Sequence, residues 1–193
     1  MIHFAHMKNL TSGSALFALM FTASDLYQPK NITFPNPKAK ASVVVFLSAK
    51  CPCSASHEPI LKDLASKYAK DGIEFIAVHA NQNEALEVTR SHFVRSDVGA
   101  GSSAATVASV PASLGFPMVE DRGAKIANEL KALKTPHAYI IQNGKVVYEG
   151  GVDDSADAAE AEKHYLADAL VEIKNNKPVT TAKTRSLGCV IKR

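Results

Sequence analysis

The sequence predicts an α/β fold, a mixed β-sheet with helices on both faces, and three observations carry that prediction. First, "SVVVFLS" (Ser42 to Ser48) and "IEFIAVHA" (Ile73 to Ala80) are apolar almost throughout and flank a segment with helical spacing. Strands buried on both faces read this way, so the three segments form a β-α-β unit of a parallel sheet. Second, "HAYIIQNGKVVYEGG" holds two alternating apolar runs joined at Asn143-Gly144, the signature of a type I′ hairpin, which adds antiparallel strands. Third, Ala156 to Asn176 reads as an amphipathic helix that can cover one face.

Each element follows in order. The chain opens with basic Met7-Lys8-Asn9 and an apolar stretch, Leu10 to Ser24, with small residues near its end. That is the pattern of a secretory leader, or else an N-terminal helix, so residues 1–24 stand apart, residues 25–176 form the domain and 177–193 form a tail. An exported, extracytoplasmic location is expected if the leader is real, and a cytoplasmic one if it is not. After the first buried strand, Ile60, Leu61, Leu64 and Tyr68 recur at helical spacing, and Asp71-Gly72 marks the stop. Pro59 lies inside this pattern and predicts a kink or a short first turn. Asn83 to Arg95 reads as a helix. Ser96 to Gly115 is rich in Gly, Ala and Ser, either a loop or a loosely packed helix with a loop. "FPMVED" predicts a short strand, and Gly123 to Leu133 a short helix before Lys134-Thr135-Pro136.

Composition narrows the function classes. At 193 residues the chain can bury one core without disulfide staples. The net charge of +3 gives no reason to expect nucleic acid, because the excess sits in the tail. There Lys177, Lys183, Arg185, Lys192 and Arg193 occur with no acidic residue, as in a solvated terminus. No polar-free run approaches the roughly 18 residues that suggest a membrane span. Three cysteines, Cys51, Cys53 and Cys189, cannot all pair within one chain, which suits a working thiol better than a disulfide scaffold.

The chemistry concentrates in "KCPCS", Lys50 to Ser54. Cys51 falls where a strand ends and a helix begins, so the helix dipole and unpaired backbone N–H groups favour its thiolate. Lys50 adds positive charge, and Pro52 fits the first helical position. Cys53 lies two residues on, about 200° around a regular helix, so it points away from Cys51 unless the first turn is distorted. Cys53 is then either a resolving thiol or a small buried hydrophobe, and Cys189 can resolve Cys51 only if the tail folds back. His57 shares a helix face with Cys53, and sulfur with imidazole could hold copper. Apart from that alternative, no metal and no cofactor is expected.

The stretches "FLSAKCPCSASHEPILKDLASKY", "GFPMVEDRGAKIANELKALKTPHAYIIQNGKVVYEGGVDD" and the ending "LGCVIKR" resemble the thioredoxin fold, and more narrowly the AhpC/TSA-type redoxin proteins. The resemblance runs from about residue 35 over most of the chain. It implies that Cys51 is the attacking cysteine, that Pro136 is a cis-proline facing it, and that Thr135 and Pro136, with Pro52, contact a bound peptide or thiol. Ser48, Lys50 and Ser54 are supporting residues. The departures are Lys50 in place of a tryptophan, Ser54 at the second cysteine position, and no acid within Val43 to Leu47. The function implied is a thiol–disulfide oxidoreductase acting on protein or small-molecule disulfides with an external thiol reductant. A thiol peroxidase is the alternative: Ser48 and Cys51 match that pattern, Val44 replaces its proline, and Arg122 would supply the arginine. A copper module resembling the Sco-like relatives of this fold, which would use Cys51, Cys53 and His57 or His137 as ligands, and a redox-inactive binding domain complete the alternatives.

Overall fold

Val43 and Val45 face one side of the sheet and Val44 and Phe46 the other, and both sides are covered, which is why the run from Val43 to Leu47 is apolar at every position. The computed structural model describes residues 19–26, 31–93 and 114–193. Among them the strands are β1 (Phe21–Asp25), β2 (Asn31–Phe34), β3 (Ala41–Phe46), β4 (Ile73–His79), β5 (Met118–Glu120), β6 (Lys134–Thr135), β7 (His137–Gln142), β8 (Lys145–Gly150) and β9 (Cys189–Val190). The helices are α1 (Pro52–Ala69), α2 (Leu86–Phe93), α3 (Lys125–Glu129) and α4 (Tyr165–Lys174). Seven strands form one mixed sheet in the order β2-β1-β5-β4-β3-β7-β8, and β6 pairs with β9 apart from it. β3 runs parallel to β4 and antiparallel to β7, so the predicted β-α-β unit and hairpin meet on one central strand.

One core gathers Leu61, Leu64 and Tyr68 of α1 with Leu166, Leu170 and Ile173 of α4; the other gathers Ile126, Ala127 and Leu130 around α3. Each fully buried side chain of this size contributes about 1.5–3 kcal/mol by leaving water. Asn143 and Gly144 both have positive φ, 52° and 70°, as the type I′ reading of the hairpin requires.

Five expectations need correction. Pro59 neither kinks nor shortens α1, which is one helix of 18 residues; Pro59 is exposed, and the carbonyl it leaves unserved belongs to exposed Ala55. The last helix starts at Tyr165, not Ala156. Asp157 caps only a single 3-10 turn, Ala158–Glu160, by accepting from Ala159 N–H at 3.1 Å, and beyond it Asp154 accepts the backbone N–H groups of Glu162 and Lys163 at 2.9 and 3.0 Å, donors a continuing helix would have used. β1 takes in the end of the segment read as a leader or helix, so the fold begins ahead of residue 25; Phe21 and Ala23 alternate in burial with Thr22 and Ser24, as a strand's residues do. The third helix is shorter than Gly123 to Leu133, because Gly123 and Ala124 take left-handed φ and delay its start. The tail is not a solvated terminus: it runs back along β8 and the site, through Glu149 N–H to Ala182 O at 2.9 Å and Ile191 N–H to Leu133 O at 3.0 Å. Most of the leader and of Ser96 to Gly115 lies outside the described residues.

Candidate active site

Cys51 is the N-cap of α1, with extended backbone (φ −95°, ψ 112°), and Pro52 opens the helix. Its amide donates to Ser48 O at 3.2 Å, and its sulfur is buried, donating to Thr135 O at 3.0 Å. The Thr135–Pro136 peptide bond is cis. Because Cys51 precedes the helix, the rotation expected between it and Cys53 does not apply. The structure brings both sulfurs and that of Cys189 together, all three within 4.8 Å of one another and none in a disulfide.

Cys189 arrives because the tail crosses the cis-proline turn as β9, Thr135 opposite Cys189 and Lys134 opposite Val190. Gly188 makes the crossing possible: a Cβ there would lie 2.1 Å from Thr135 O and 3.2 Å from Pro136 Cδ. Ile191 then plugs into the core, Lys192 N–H donates to Asn81 Oδ1 at 2.7 Å, and Lys192 O accepts from Gln82 N–H at 2.7 Å. The backbone edge that the resemblance offers to a substrate at Thr135 is thus paired with the protein's own tail.

The three thiols are unequal. Burial alone would raise Cys51, but it is outweighed by hydrogen bonds from the Cys189 side chain, from Thr135 and from the Ser54 and Cys189 backbone, and its pKa falls from 9.0 to about 7. The Thr135 hydroxyl is buried and makes no hydrogen bond around the neutral thiol, which leaves it available to a thiolate. Burial, followed by the contacts with Cys51, pushes Cys189 up to about 12, and burial and the Cys51 charge also raise Cys53. Cys51 is therefore the most readily ionised of the three thiols near neutral pH.

The supporting residues act structurally. Ser54 Oγ accepts from Ser48 N–H at 3.2 Å and ties the loop to the helix, and Lys50 is exposed. Glu84, which the sequence reading missed, is the buried acid at the site. It accepts from Ser48 Oγ, from Ala49 N–H at 3.0 Å and from Asn81 Nδ2 at 2.9 Å. Its signal was an acid at the mouth of β4, beyond the strand searched for one. The alternative metal set is not assembled. His57 is buried with Nδ1 2.6 Å from Cys53 O and Nε2 2.9 Å from Asp153 Oδ2. His137 has Nδ1 3.4 Å from Leu133 N and 3.2 Å from the Tyr139 hydroxyl, and burial lowers it to about 4. Neither joins the sulfur group. Arg122 pairs with Glu120 at 2.9 Å and is exposed at the surface.

Residues 19–166 match the Redoxin family profile. This chain belongs to the Redoxin family. As a redoxin it shares its fold with an uncharacterized conserved protein from Geobacillus kaustophilus (23% identity, 91% of this chain and 89% of that one, TM-score 0.71). A hypothetical protein, SMc02350, from Sinorhizobium meliloti 1021 is as similar, at 23% identity over 96% of each chain and TM-score 0.71. StoA from Bacillus subtilis, at 16% identity over 68% of this chain and 87% of its own with TM-score 0.52, extends the likeness to thioredoxin-like proteins. The redoxin fold here is thioredoxin-like, α/β with a mixed sheet flanked by helices. No curated protein matches the chain.

Proposed function

We propose that this redoxin is a thiol–disulfide oxidoreductase with Cys51 as nucleophile and Cys189 as the preferred resolving thiol. The observation that carries the reading is a thiol lowered to about 7 at a helix start, hydrogen-bonded by a second thiol on the tail. The Cys51 thiolate attacks one sulfur of a disulfide R–S–S–R′, the S–S bond breaks, and R′–S⁻ leaves and takes a proton from solvent. Cys189 then attacks the Cys51 sulfur, its proton passing to the departing R–S⁻. R–SH leaves, a Cys51–Cys189 disulfide remains, and an external dithiol reduces it. Cys53 stands close enough to substitute. Thr135 and Pro136 frame the face where the substrate sulfur arrives once the tail strand lifts from it, with Pro52 on the helix side.

The N-terminal pattern supports work outside the cytoplasm, where disulfide substrates persist. No described helix is long and apolar enough to cross a membrane. A thiol peroxidase is the second reading, supported by resolving thiols beside a low-pKa cysteine. Against it, Ser48 is engaged with Glu84 and Arg122 with Glu120.

The test is timed thiol trapping after one equivalent of glutathione disulfide, followed by peptide mapping. Cys51 should form the mixed disulfide first and Cys51–Cys189 should replace it, and Cys51→Ser should slow turnover at least about 10³-fold, as loss of a nucleophile does. Equal, slow modification of all three cysteines would sink the reading, and consumption of peroxide faster than of disulfide would replace it with the second.

A further inference from the structure

Disulfide exchange uses two thiols at a time, yet three converge here from separate backbone segments: the N-cap of α1, its first turn and the tail strand β9. Their sulfurs lie within 4.8 Å of one another. Three sulfurs on one ion, at the roughly 2.3 Å of a metal–thiolate bond, stand about 4.0 Å apart in a planar triangle. The site therefore closes on an ion with sub-ångström shifts, and two of its three residues are partly exposed, giving an ion access.

The neighbours decide which ion. His57 spends both ring nitrogens on Cys53 O and Asp153. His137 lies against Leu133 N–H and the Tyr139 hydroxyl. The Glu84 carboxylate is committed to Ser48, Ala49 and Asn81. Among the described residues no histidine, aspartate or glutamate joins the group. Soft thiolates suit copper(I), zinc and iron–sulfur clusters alike, but zinc and the clusters favour four protein ligands, whereas copper(I) is satisfied by three.

We propose that Cys51, Cys53 and Cys189 bind one copper(I) ion in a three-sulfur site. Each sulfur that still carries a proton passes it to solvent as three Cu–S bonds form, and copper stays in the +1 state with no electron transferred. The N-terminus of α1 offsets part of the negative charge of the complex. This goes beyond disulfide exchange and does not require it; bound copper occupies the attacking sulfur, so ion and disulfide compete.

The experiment is an anaerobic titration of the reduced, metal-free full chain with copper(I) against the chelator bicinchoninate. One copper per chain should be retained, with all three cysteines shielded from iodoacetamide. Cys53→Ser and Cys189→Ser should each weaken binding by more than about 100-fold, beyond the 10–100-fold that follows loss of an outer-shell partner. Loss of copper to the chelator would overturn the proposal. So would a Cys189 that stays fully reactive at saturation, or preferential retention of zinc(II) when both ions are supplied. Disulfide exchange measured on the metal-free protein reports separately, so failure of one reading is distinguishable from failure of the other.

Discussion

The two segments that deliver the outer sulfurs are held in opposite ways. Residues 48–54 are built into the sheet: Leu47 and Ser54 are fully buried, Ser48 is nearly so, and Glu84 fastens Ser48 and Ala49 from below. Residues 188–192 rest on the surface of the same site through a two-residue strand, one glycine crossing and one buried side chain, Ile191, while Val190 is 59% exposed. Cys51 is therefore fixed and Cys189 is docked. Segments with few buried contacts open at lower free energy than the core, so the tail can leave the site without unfolding the sheet. The difference teaches that the low pKa of Cys51 depends on the weaker of the two attachments, since the tail supplies the foremost hydrogen bond that lowers it.

Gly188→Ala breaks the docking most directly. Its Cβ would meet the Thr135 carbonyl, and its φ of 141° disfavours a side chain, so the tail should lift at a cost of about 1–3 kcal/mol. The midpoint of Cys51 alkylation against pH should then move from about 7 toward 9.0, and an unchanged midpoint would show that the tail does not set it. Glu84→Gln attacks the other side. The amide cannot accept both from Ser48 and Ala49 as the carboxylate does, and thermal unfolding should show a loss of about 1–3 kcal/mol with Cys51 reactivity shifted less than by Gly188→Ala.

The pH dependence of stability sharpens the contrast. Between about pH 7 and 9 the unfolded chain keeps the Cys51 proton that the folded protein has released, so stability should rise with pH across that window. The gain is bounded at about 2.7 kcal/mol by 1.36 kcal/mol per unit and is smaller after solvent screening. Above pH 9 the order reverses, because Cys189 holds its proton to about 12 in the fold and loses it near 9.0 when unfolded. Urea titrations at pH 6, 8 and 10 measure both limbs, and Cys51→Ser should flatten the lower one. Val190→Ser, exposed on the docked strand, should change stability by less than about 0.5 kcal/mol; a larger loss would mean that the strand is held more firmly than its burial implies.

What could be read from the sequence was what local pattern encodes. The alternating and continuous apolar runs gave β3, β4 and the hairpin, and "CP" at a strand end placed Cys51 at a helix start. The tail escaped because a two-residue strand has no period and its anchors, Asn81 and Leu133, are remote in sequence. Cys53 was misjudged by a rotation rule for residues within a helix, whereas Cys51 lies just outside one. Residues 156–164 carry helical composition, yet Asp157 caps only a single turn and Asp154 takes the backbone donors beyond it. Glu84 and Asp153 become site residues only through long-range contacts that no spacing announces.

The path of the tail has a mechanical consequence. Its bonds lie one after another along the chain, at Lys192 with Asn81 and Gln82, at Ile191 with Leu133, at Cys189 beside Thr135, and at Thr184 and Ala182 with Glu149. Tension applied at Arg193 loads them in series, so they part singly at low force, as a zip does. The long registers joining β3 to β4 and β7 share a load and resist it together. A protein pulled from that end would surrender its third sulfur well before its sheet yields.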